Sequence, residues 1–209
     1  MNLIQFLQQR LQQPLPGLDA QMEMCPPIRG KNVDVPDDAR LSAVMMLLYE
    51  EEGTWKIPLM RRAQDGRVHG GQISLPGGRK DPEDVDFAST ALRETEEEFG
   101  IPRAEIHLIG SLTNIYIPPS RFLVYPHVGT VPGKPSFRPD PREVAEIIEV
   151  ELFQFLEEER KGIHEVDVFA GNIIQTPGYT LNQDELVWGG TAMMLAELAH
   201  LVREWETRG

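Results

Sequence analysis

Three glutamates on one face of a single predicted helix limit what this chain can fold into more than any other feature. Residues 86 to 99 have helical spacing, and Gly100 ends the pattern. At about 100° per residue, Glu94, Glu97 and Glu98 fall within one arc of ~100° near the end of that helix. The helix is therefore expected to bring three carboxylates together at its C-terminal end.

This clustering is unfavourable unless something compensates for it. Like charges three or four residues apart on an exposed helix repel by roughly 0.2–0.5 kcal/mol a pair, and the helix dipole disfavours anions at a C-terminal end. A solvated acidic face can bear that cost, whereas a hard divalent cation held by carboxylate oxygens removes it. The residue types alone leave both interpretations open. Glu96 falls on another face, together with Arg93, and is expected to lie in solvent.

The residues before the helix favour the cation, because the whole segment matches a known motif. Gly78 is followed by five residues, Asp84, eight residues and then RETEEEFGI, which starts at Arg93 and ends at Ile101. This segment resembles the Nudix box of the Nudix hydrolases, G-x5-E-x7-R-E-U-x-E-E-x-G-U, in which U is apolar. Asp84 replaces the first glutamate with one extra residue after it, and Thr95 replaces an aliphatic residue. The first departure leaves the role of Asp84 open.

The resemblance implies a fold, a reaction and a metal. The fold is of the α/β class, an α/β/α sandwich around a mixed β-sheet. The reaction is hydrolysis of a diphosphate linkage, in which Mg²⁺ or Mn²⁺ neutralises phosphate oxygens and lowers the pKa of the attacking water. Carried over position by position, Glu94, Glu97 and Glu98 are the metal ligands, and Arg93 orients Glu97 through a salt bridge.

The general base is expected to come from a loop beyond the box, as in some Nudix enzymes. The segment DPREVAEIIEVEL resembles the strand beside that loop, and Glu143 within it is the first candidate. Glu146 is the second candidate, and Glu94 of the helix is the third. The predicted catalytic residues are therefore Glu97, Glu94, Arg93 and Glu143.

A second motif, just upstream, points to the substrate. It resembles the accessory signature of coenzyme A diphosphatases, L-L-T-x-R-[SA]-x3-R-x3-G-x3-F-P-G-G, although Pro58 and Met60 depart from the leading L-L-T and Leu75 replaces the Phe. The matching residues are Arg62, Ala63, Arg67, Gly71 and the Pro-Gly-Gly at 76–78. The resemblance implies that coenzyme A is split into 3′,5′-ADP and 4′-phosphopantetheine. Arginine suits bidentate phosphate contacts, and the predicted substrate-binding residues are Arg62, Arg67, Gly77, Gly78 and Arg79.

Two other functions stay open. The box alone does not fix the substrate, so ADP-ribose, dinucleotides or nucleoside triphosphates are alternatives. A Nudix-fold binding module without catalysis is the third interpretation, and it is disfavoured because such modules typically lose the box glutamates that this chain keeps.

The remaining sequence suggests one domain with an N-terminal extension. An amphipathic helix and a proline-rich lead-in occupy residues 1–36, and residues 37–209 form the Nudix domain. Strands are expected at 41–49, 55–60, 106–112, 122–131, 144–150 and 164–169, with a break at Pro76-Gly77-Gly78. Short and long helices are expected at 152–161 and 190–206. A stripe of Ala88, Leu92, Thr95 and Phe99 is expected to pack the box helix onto the core.

The composition of the chain limits the classes of partner that it is expected to bind. A formal net charge of −13 argues against nucleic acid, because phosphate backbones bind basic surfaces. No window approaches the ~20 apolar residues of a membrane span. The single cysteine, Cys25, fits a reducing compartment, and a cytoplasmic protein acting on a small-molecule diphosphate is the expectation. A homodimer is compatible with the sequence.

Overall fold

A computed structural model describes residues 1–29, 33–64, 70–168, 171–182 and 185–208. The α-helices are α1 (Leu3–Arg10), α2 (Leu18–Gln21), α3 (Phe87–Phe99) and α4 (Gly189–Glu206). The strands are β1 (Arg40–Glu51), β2 (Thr54–Arg62), β3 (Ile73–Ser74), β4 (Gly77–Arg79), β5 (His107–Ser111), β6 (Ile115–Ile117), β7 (Phe122–Thr130), β8 (Val144–Glu151), β9 (Lys161–Asp167), β10 (Ile173–Thr180) and β11 (Leu186–Trp188). Short 3₁₀ segments lie at Met22–Met24, Pro27–Arg29, Arg103–Glu105, Leu152–Leu156 and Glu158–Arg160.

A mixed sheet forms the middle layer. Across the described ranges it has eight strands, ordered β3-β2-β1-β7-β5, with β8 also on β2, β4 on β1 and β6 on β7. The strands β1 and β7 run parallel, whereas the other pairs are antiparallel. A separate antiparallel sheet has the order β11-β10-β9. The strand expected at 164–169 is therefore an edge strand up to Asp167, and Phe169 lies outside the described residues.

The central strand β1 explains why the sequence has an unbroken apolar run. Met45 and Leu47 pack into the cluster that contains α3, while Met46 and Leu48 pack into the cluster on the opposite face of the sheet. All four side chains are buried. Successive side chains of a strand point to opposite faces, so a strand covered on both sides must be apolar throughout. The helices on the two faces complete the predicted α/β/α sandwich.

The N-terminal helix belongs to the second helical layer. Asn2 caps it, accepting a hydrogen bond from Gln5 N at 2.9 Å. Its apolar residues share a core cluster with those of α4, and Arg10 binds Glu204 through two bonds of 2.7 and 3.0 Å. The predicted helix is thus present and packed on the rest of the chain, while the division of the chain at residue 36 remains a prediction. None of the helices in the described ranges is long and apolar enough to span a bilayer.

The box helix α3 begins and ends close to the predicted bounds. Asp86 is its N-cap and accepts from Ser89 N at 2.7 Å. Gly100 ends it in a left-handed conformation with φ 68°. The predicted buried stripe was partly wrong, because Ala88 and Leu92 are only partly buried, whereas Ala91 is fully buried. The helix is rotated so that part of its acidic face also turns inward.

Two further predictions need correction. The Pro76-Gly77-Gly78 segment does not simply break the chain, since Gly77–Arg79 forms β4 and pairs with Ser42–Val44 of β1. A Cβ on Gly77 would meet the backbone carbonyl of Ala43, so glycine allows this close pairing. The helix expected at 152–161 is two short 3₁₀ segments followed by the start of β9.

Candidate active site

One guanidinium group links the acidic residues of the box. Arg93 Nη1 lies 2.8 Å from Glu94 Oε1 and 3.1 Å from Glu97 Oε2. Its Nε and Nη2 bind both carboxylate oxygens of Asp84, at 3.1 and 2.9 Å. The helical angles of the sequence place Arg93 on a different face of the helix from Glu94 and Glu97. The side chain of Arg93 is long enough to reach them, so its guanidinium group binds the carboxylates of Asp84, Glu94 and Glu97.

Asp84 is the most firmly held of these acids. Its side chain is 7% exposed and also accepts from Thr90 Oγ1 and Asp81 N, both at 2.9 Å. The hydrogen bond from Arg93, opposed by burial, holds the pKa of Asp84 well below its usual range. Asp84 is therefore a charged structural partner of Arg93, a relationship that the sequence left open.

Glu98 lies beneath the helix, against β4. Its side chain is 1% exposed, and Oε2 accepts from Gly77 N at 2.7 Å. Arg62 Nη1 is 3.6 Å from Oε1. Burial raises the pKa of Glu98 to about 8, and the charges of Glu94 and Glu143 act in the same direction. The carboxylate is thus buried with too little positive charge nearby to compensate for its lost hydration.

Glu94 packs directly on the second glycine of β4. A Cβ on Gly78 would stand 2.5 Å from the carboxylate carbon of Glu94, so only glycine leaves room for it. Burial raises the pKa of Glu94, while the hydrogen bond from Arg93 lowers it. The two glycines of β4 therefore make space for one glutamate and donate a backbone hydrogen bond to another.

Glu97 differs from the other two glutamates because its side chain is 56% exposed, and it binds Arg93 from the surface of the helix. In the part of the chain that the structure describes, no three Asp, Glu, His or Cys side chains converge into a metal-binding geometry. The hydrogen bond to Arg93 holds the Glu97 carboxylate at the helix surface. Glu96 lies apart, as expected, and pairs with Arg103 at 2.5 Å.

The two loop candidates for a general base lie in different surroundings. Glu143 is exposed, its carbonyl oxygen accepts from Ala63 N at 2.8 Å, and its charge contributes to raising the pKa of both Glu94 and Glu98. Glu146 instead binds Arg61 Nε at 3.2 Å, and Arg61 also contacts Glu185. Glu143 thus lies within electrostatic range of Glu94 and Glu98, whereas Glu146 belongs to a neighbouring ion-pair network.

The predicted substrate-binding residues are only partly brought together. Arg62 ends β2 beside Glu98, and Gly77 and Gly78 lie under the acidic helix. Arg79 is at the exposed end of β4, and its carbonyl oxygen accepts from Arg93 Nη2 at 3.1 Å. Arg67 lies outside the described residues.

The departure from the box pattern at Asp84 has a structural explanation. Aspartate is one methylene shorter than glutamate, and the extra residue after Asp84 accompanies a loop that delivers this short side chain to Arg93. The contact between Gly78 and Glu94 has no local signal in the sequence. It forms because β4 packs against α3, where Glu94 lies 16 residues after Gly78.

Comparisons with known proteins show which family the chain resembles. The NUDIX domain family matches residues 39–169. A protein of Yersinia pestis (strain Pestoides F) described as "Uncharacterized Nudix hydrolase NudL" is 37% identical over 163 residues, which cover 78% of this chain and 79% of the relative. The protein of the same description from Yersinia enterocolitica is 35% identical over 144 residues, 69% of this chain and 72% of the relative.

Solved structures resemble the fold at low sequence identity. The Nudix hydrolase RenU of M. smegmatis has a TM-score of 0.51 at 15% identity, covering 79% of this chain and 87% of RenU. The NUDIX domain of Shewanella oneidensis NrtR, solved with ADP ribose, has a TM-score of 0.51 at 16% identity, covering 84% of this chain and 94% of that domain. With the profile match and the relatives above, the chain belongs to the Nudix hydrolase family.

Proposed function

We propose that this Nudix hydrolase cleaves the diphosphate of coenzyme A, or of a coenzyme A derivative, into 3′,5′-ADP and 4′-phosphopantetheine. One observation supports it above the others: Arg62 Nη1 lies 3.6 Å from Glu98 Oε1. Arg62 belongs to the segment that resembles the coenzyme A diphosphatase signature, and Glu98 belongs to the box. Arg62, which indicates the substrate, therefore lies beside Glu98, which belongs to the motif that indicates diphosphate hydrolysis.

The donor set suits a hard divalent cation. Nudix hydrolases generally use divalent metal ions. Glu94, Glu97 and Glu98 offer carboxylate oxygens, the ligand type that Mg²⁺ and Mn²⁺ prefer. Buried Glu98, with its raised pKa, and the neighbouring Glu94 need positive charge beyond that of Arg62 and Arg93. We assign Mg²⁺ or Mn²⁺ to these three glutamates, which would hold the ion through their carboxylate oxygens.

The bound ion would neutralise phosphate oxygens and lower the pKa of the attacking water. The protein supplies the arrangement around it. Arg93 fixes Glu94 and Glu97 from one side and is itself fixed by Asp84. The Gly77 N–H holds Glu98 in one orientation. Positioning and charge stabilisation of this kind carry most of the rate in phosphoryl transfer.

Glu143 is the proposed general base. It is exposed, so a water molecule can reach it, and its charge is felt by both Glu94 and Glu98. A base in this position takes the proton of the water as its oxygen attacks phosphorus, while the other phosphate leaves with the electrons of the anhydride bond.

The basic residues of the upstream segment are the proposed phosphate contacts. The chain has a net charge of −13, so a substrate with several phosphate groups needs local cations. Arg62 stands at the acidic cluster, and Arg79 is exposed at the end of β4 beside it. With Arg67, these form the proposed binding set, together with the backbone of Gly77 and Gly78.

A substrate panel tests this proposal. The protein is incubated with Mg²⁺ or Mn²⁺ and coenzyme A, acylated and oxidised coenzyme A, ADP-ribose, a dinucleotide or a nucleoside triphosphate, and products are separated by chromatography. We expect 3′,5′-ADP from coenzyme A at the highest kcat/KM. Efficient turnover of ADP-ribose without release of 3′,5′-ADP from coenzyme A would contradict it.

A pair of variants separates an enzyme from a binding module. Glu97→Gln is expected to abolish turnover with folding intact, because a metal ligand is lost. Glu96→Gln, which alters a neighbouring glutamate paired with Arg103, is expected to keep near-normal turnover. Equal activity in both variants would remove Glu97 from the proposed metal site.

We also propose a cytoplasmic location, supported by the one cysteine of the sequence, Cys25, which is free and buried. Cell fractionation tests this location. A homodimer remains a prediction, and analytical ultracentrifugation measures it.

A further inference from the structure

The loop that carries Glu143 is held through its backbone on two sides. On one side it meets the end of α3, where Asp140 N donates to Glu98 O at 3.3 Å. On the other side it meets the end of β2, where Ala63 N donates to Glu143 O at 2.8 Å. The position of Glu143 relative to the box helix therefore depends on where the end of β2 delivers Ala63.

The pairing of β2 with β8 is irregular close to this end. Arg61 lies opposite Glu146 and Arg62 lies opposite Val144, so Ala145 is an extra residue on β8. A β-bulge of this kind interrupts the ladder locally and bends the strand that carries it, and bulges beside active sites re-aim side chains. The regular ladder thus stops before the end of β2, which other contacts must hold in place.

The side chain of Arg61 provides such a contact. Successive side chains of a strand point to opposite faces of the sheet, and Arg62 reaches Glu98 at 3.6 Å on the face that α3 covers. On the other face, Nη2 of Arg61 contacts a carboxylate oxygen of Glu185. Its Nε lies 3.2 Å from Glu146 Oε2. The guanidinium group of Arg61 therefore binds two acidic residues on the face opposite the box helix.

Glu185 is the better anchor of these two acids. Its side chain is 14% exposed, whereas that of Glu146 is 55% exposed. An ion pair that is shielded from solvent is screened less by water and salt than a surface pair. The carbonyl oxygen of Glu185 also accepts from Leu181 N at 2.7 Å, and β11 begins at the next residue. Arg61 thus ties the end of β2 to the sheet β11-β10-β9.

We propose that Arg61 is a positioning residue for the hydrolytic reaction and acts through Glu143. By binding Glu185 it fixes the end of β2, so that Ala63 N holds the Glu143 carbonyl and the Glu143 carboxylate stays within reach of the attacking water. This inference rests on the proposed role of Glu143 as the general base. It adds a residue that belongs neither to the box nor to the matched positions of the upstream signature.

Steady-state kinetics of Arg61→Ala test this role, with the diphosphate substrate that the wild type turns over best. We expect kcat to fall about 10- to 100-fold, as for a catalytic group displaced by about 1 Å. KM is expected to change less, because Arg62 N still donates to Gln72 O and Arg62 O still accepts from Gly71 N, both at 3.0 Å.

Two milder variants address the ion pair itself. Glu185→Gln keeps the size of the side chain but removes its charge, and it is expected to lower kcat as Arg61→Ala does. Arg61→Lys is expected to recover most of the loss, because an ammonium group can keep the contact with Glu185.

A double-mutant cycle shows whether Arg61 acts through the base. In a Glu143→Gln background, Arg61→Ala is expected to change kcat by less than about twofold, since the group that it positions is already absent. Arg10→Ala is the matched control, because Arg10 also joins two segments through an ion pair, at 2.7 Å from Glu204. Its melting temperature is expected to fall while kcat stays near the wild-type value.

The proposal is overturned if Arg61→Ala keeps the wild-type kcat, or if Arg10→Ala lowers kcat as much. It is also overturned if Arg61→Ala has the same effect in both backgrounds, because Arg61 then acts independently of Glu143. These results leave the base assignment in place, whereas near-normal turnover by Glu143→Gln removes both the base and the role of Arg61. The substrate is determined separately, by the release of 3′,5′-ADP from coenzyme A by the wild type.

Discussion

Arg93 and Asp84 form a two-pronged ion pair in which Nε and Nη2 of the guanidinium meet the two carboxylate oxygens at 3.1 and 2.9 Å. The pair joins the loop after β4 to the middle of α3. It leaves Nη1 of Arg93 free to bind Glu94 and Glu97. The geometry of the glutamates thus depends on an acid that contacts neither of them. Asp84 is accordingly a positioning residue, and its removal is expected to change the positions of Glu94 and Glu97.

The first prediction concerns this pair. Asp84→Asn keeps the size of the side chain but removes its charge, leaving the mostly buried Arg93 without its best partner. We expect a loss of about 2–3 kcal/mol in the free energy of unfolding, together with reduced kcat. Denaturant unfolding and steady-state kinetics measure the two effects.

Asp81→Asn is the control within the same network. Asp81 lies 3.8 Å from Arg93 Nη2 and its side chain is 58% exposed, so the expected change is below about 0.5 kcal/mol. If the two substitutions lower the free energy of unfolding equally, stability depends on negative charge near Arg93 in general and not on the two-pronged pair with Asp84.

A second prediction follows from the contact between β4 and the helix. In Gly78→Ala, the new methyl group stands within 2.6 Å of all three carboxylate atoms of Glu94. Because these atoms belong to the end of a side chain, Glu94 can move aside and the fold survives. We expect turnover to fall at least tenfold with a small change in melting temperature.

Gly77→Ala is the contrasting variant. Its methyl group meets backbone atoms of Ala43 and Val44 in β1, which cannot move aside as the end of a side chain can, and φ at this position is 155°. Unfolding or poor expression is therefore expected. If Gly78→Ala unfolds as readily as Gly77→Ala, Glu94 is not free to move in the way proposed.

The sequence predicted those parts of the molecule that have a local signal. The strand at 41–49 and the helix at 86–99 were found to within one or two residues, because long apolar or periodic runs and caps at Asp86 and Gly100 mark them. The separation of Glu96 from the other glutamates also followed from helical angles alone. Family resemblance supplied the sandwich that these elements form.

The remaining features depend on contacts between distant segments. The strand β4 has only three residues, two of them glycine, and becomes a strand because it pairs with β1. The buried stripe of α3 was misjudged at Ala88 and Leu92 because glycines in β4 admit Glu94 and Glu98 beneath the helix. Helical angles identify which side chains share a face of a helix. They do not identify the segment of the chain that packs against that face.

The third prediction is a pH dependence of stability in the presence of a chelator. The pKa of Glu98 is raised to about 8, above the unfolded value of about 4.3, so folding binds a proton. Stability from this group is full below about pH 4.3 and is lost as the pH rises to about 8. We expect the metal-free protein to lose up to about 5 kcal/mol from Glu98 across this window.

Glu98→Gln tests the assignment, because it keeps an acceptor for Gly77 N and cannot ionise. Its free energy of unfolding is expected to fall less between pH 5 and 8 than that of the wild type, again with chelator. Parallel pH profiles for the two proteins would show that Glu98 does not titrate in this range.

The fourth prediction compares the two glutamates that follow the loop at 140. Glu143→Gln removes the proposed base and is expected to lower kcat by about 10²- to 10⁴-fold, with KM little changed. Glu146→Gln alters a residue that binds Arg61, and its kcat is expected to stay near the wild-type value. Near-normal turnover by Glu143→Gln would transfer the role of base to another residue, with Glu94 as the next candidate.

The last prediction concerns a buried carboxylate far from the acidic cluster. Glu197 of α4 is 0% exposed and accepts from Gly17 N at 3.1 Å, Gln21 Nε2 at 2.9 Å and Thr113 Oγ1 at 2.7 Å. Thr113 N also donates to it, at 3.2 Å. These donors satisfy both carboxyl oxygens of Glu197 and tie the N-terminal segment and the residues after β5 to the final helix.

Glu197→Ala leaves these donors without an acceptor and opens a small cavity. We expect a loss of about 3 kcal/mol or more in the free energy of unfolding, and faster proteolysis around Gly17. Glu206→Ala, at an exposed position of the same helix, is expected to change stability by less than about 0.5 kcal/mol. If Glu197→Ala unfolds no more easily than Glu206→Ala, the N-terminal segment is held by its apolar contacts with α4 rather than by the buried carboxylate.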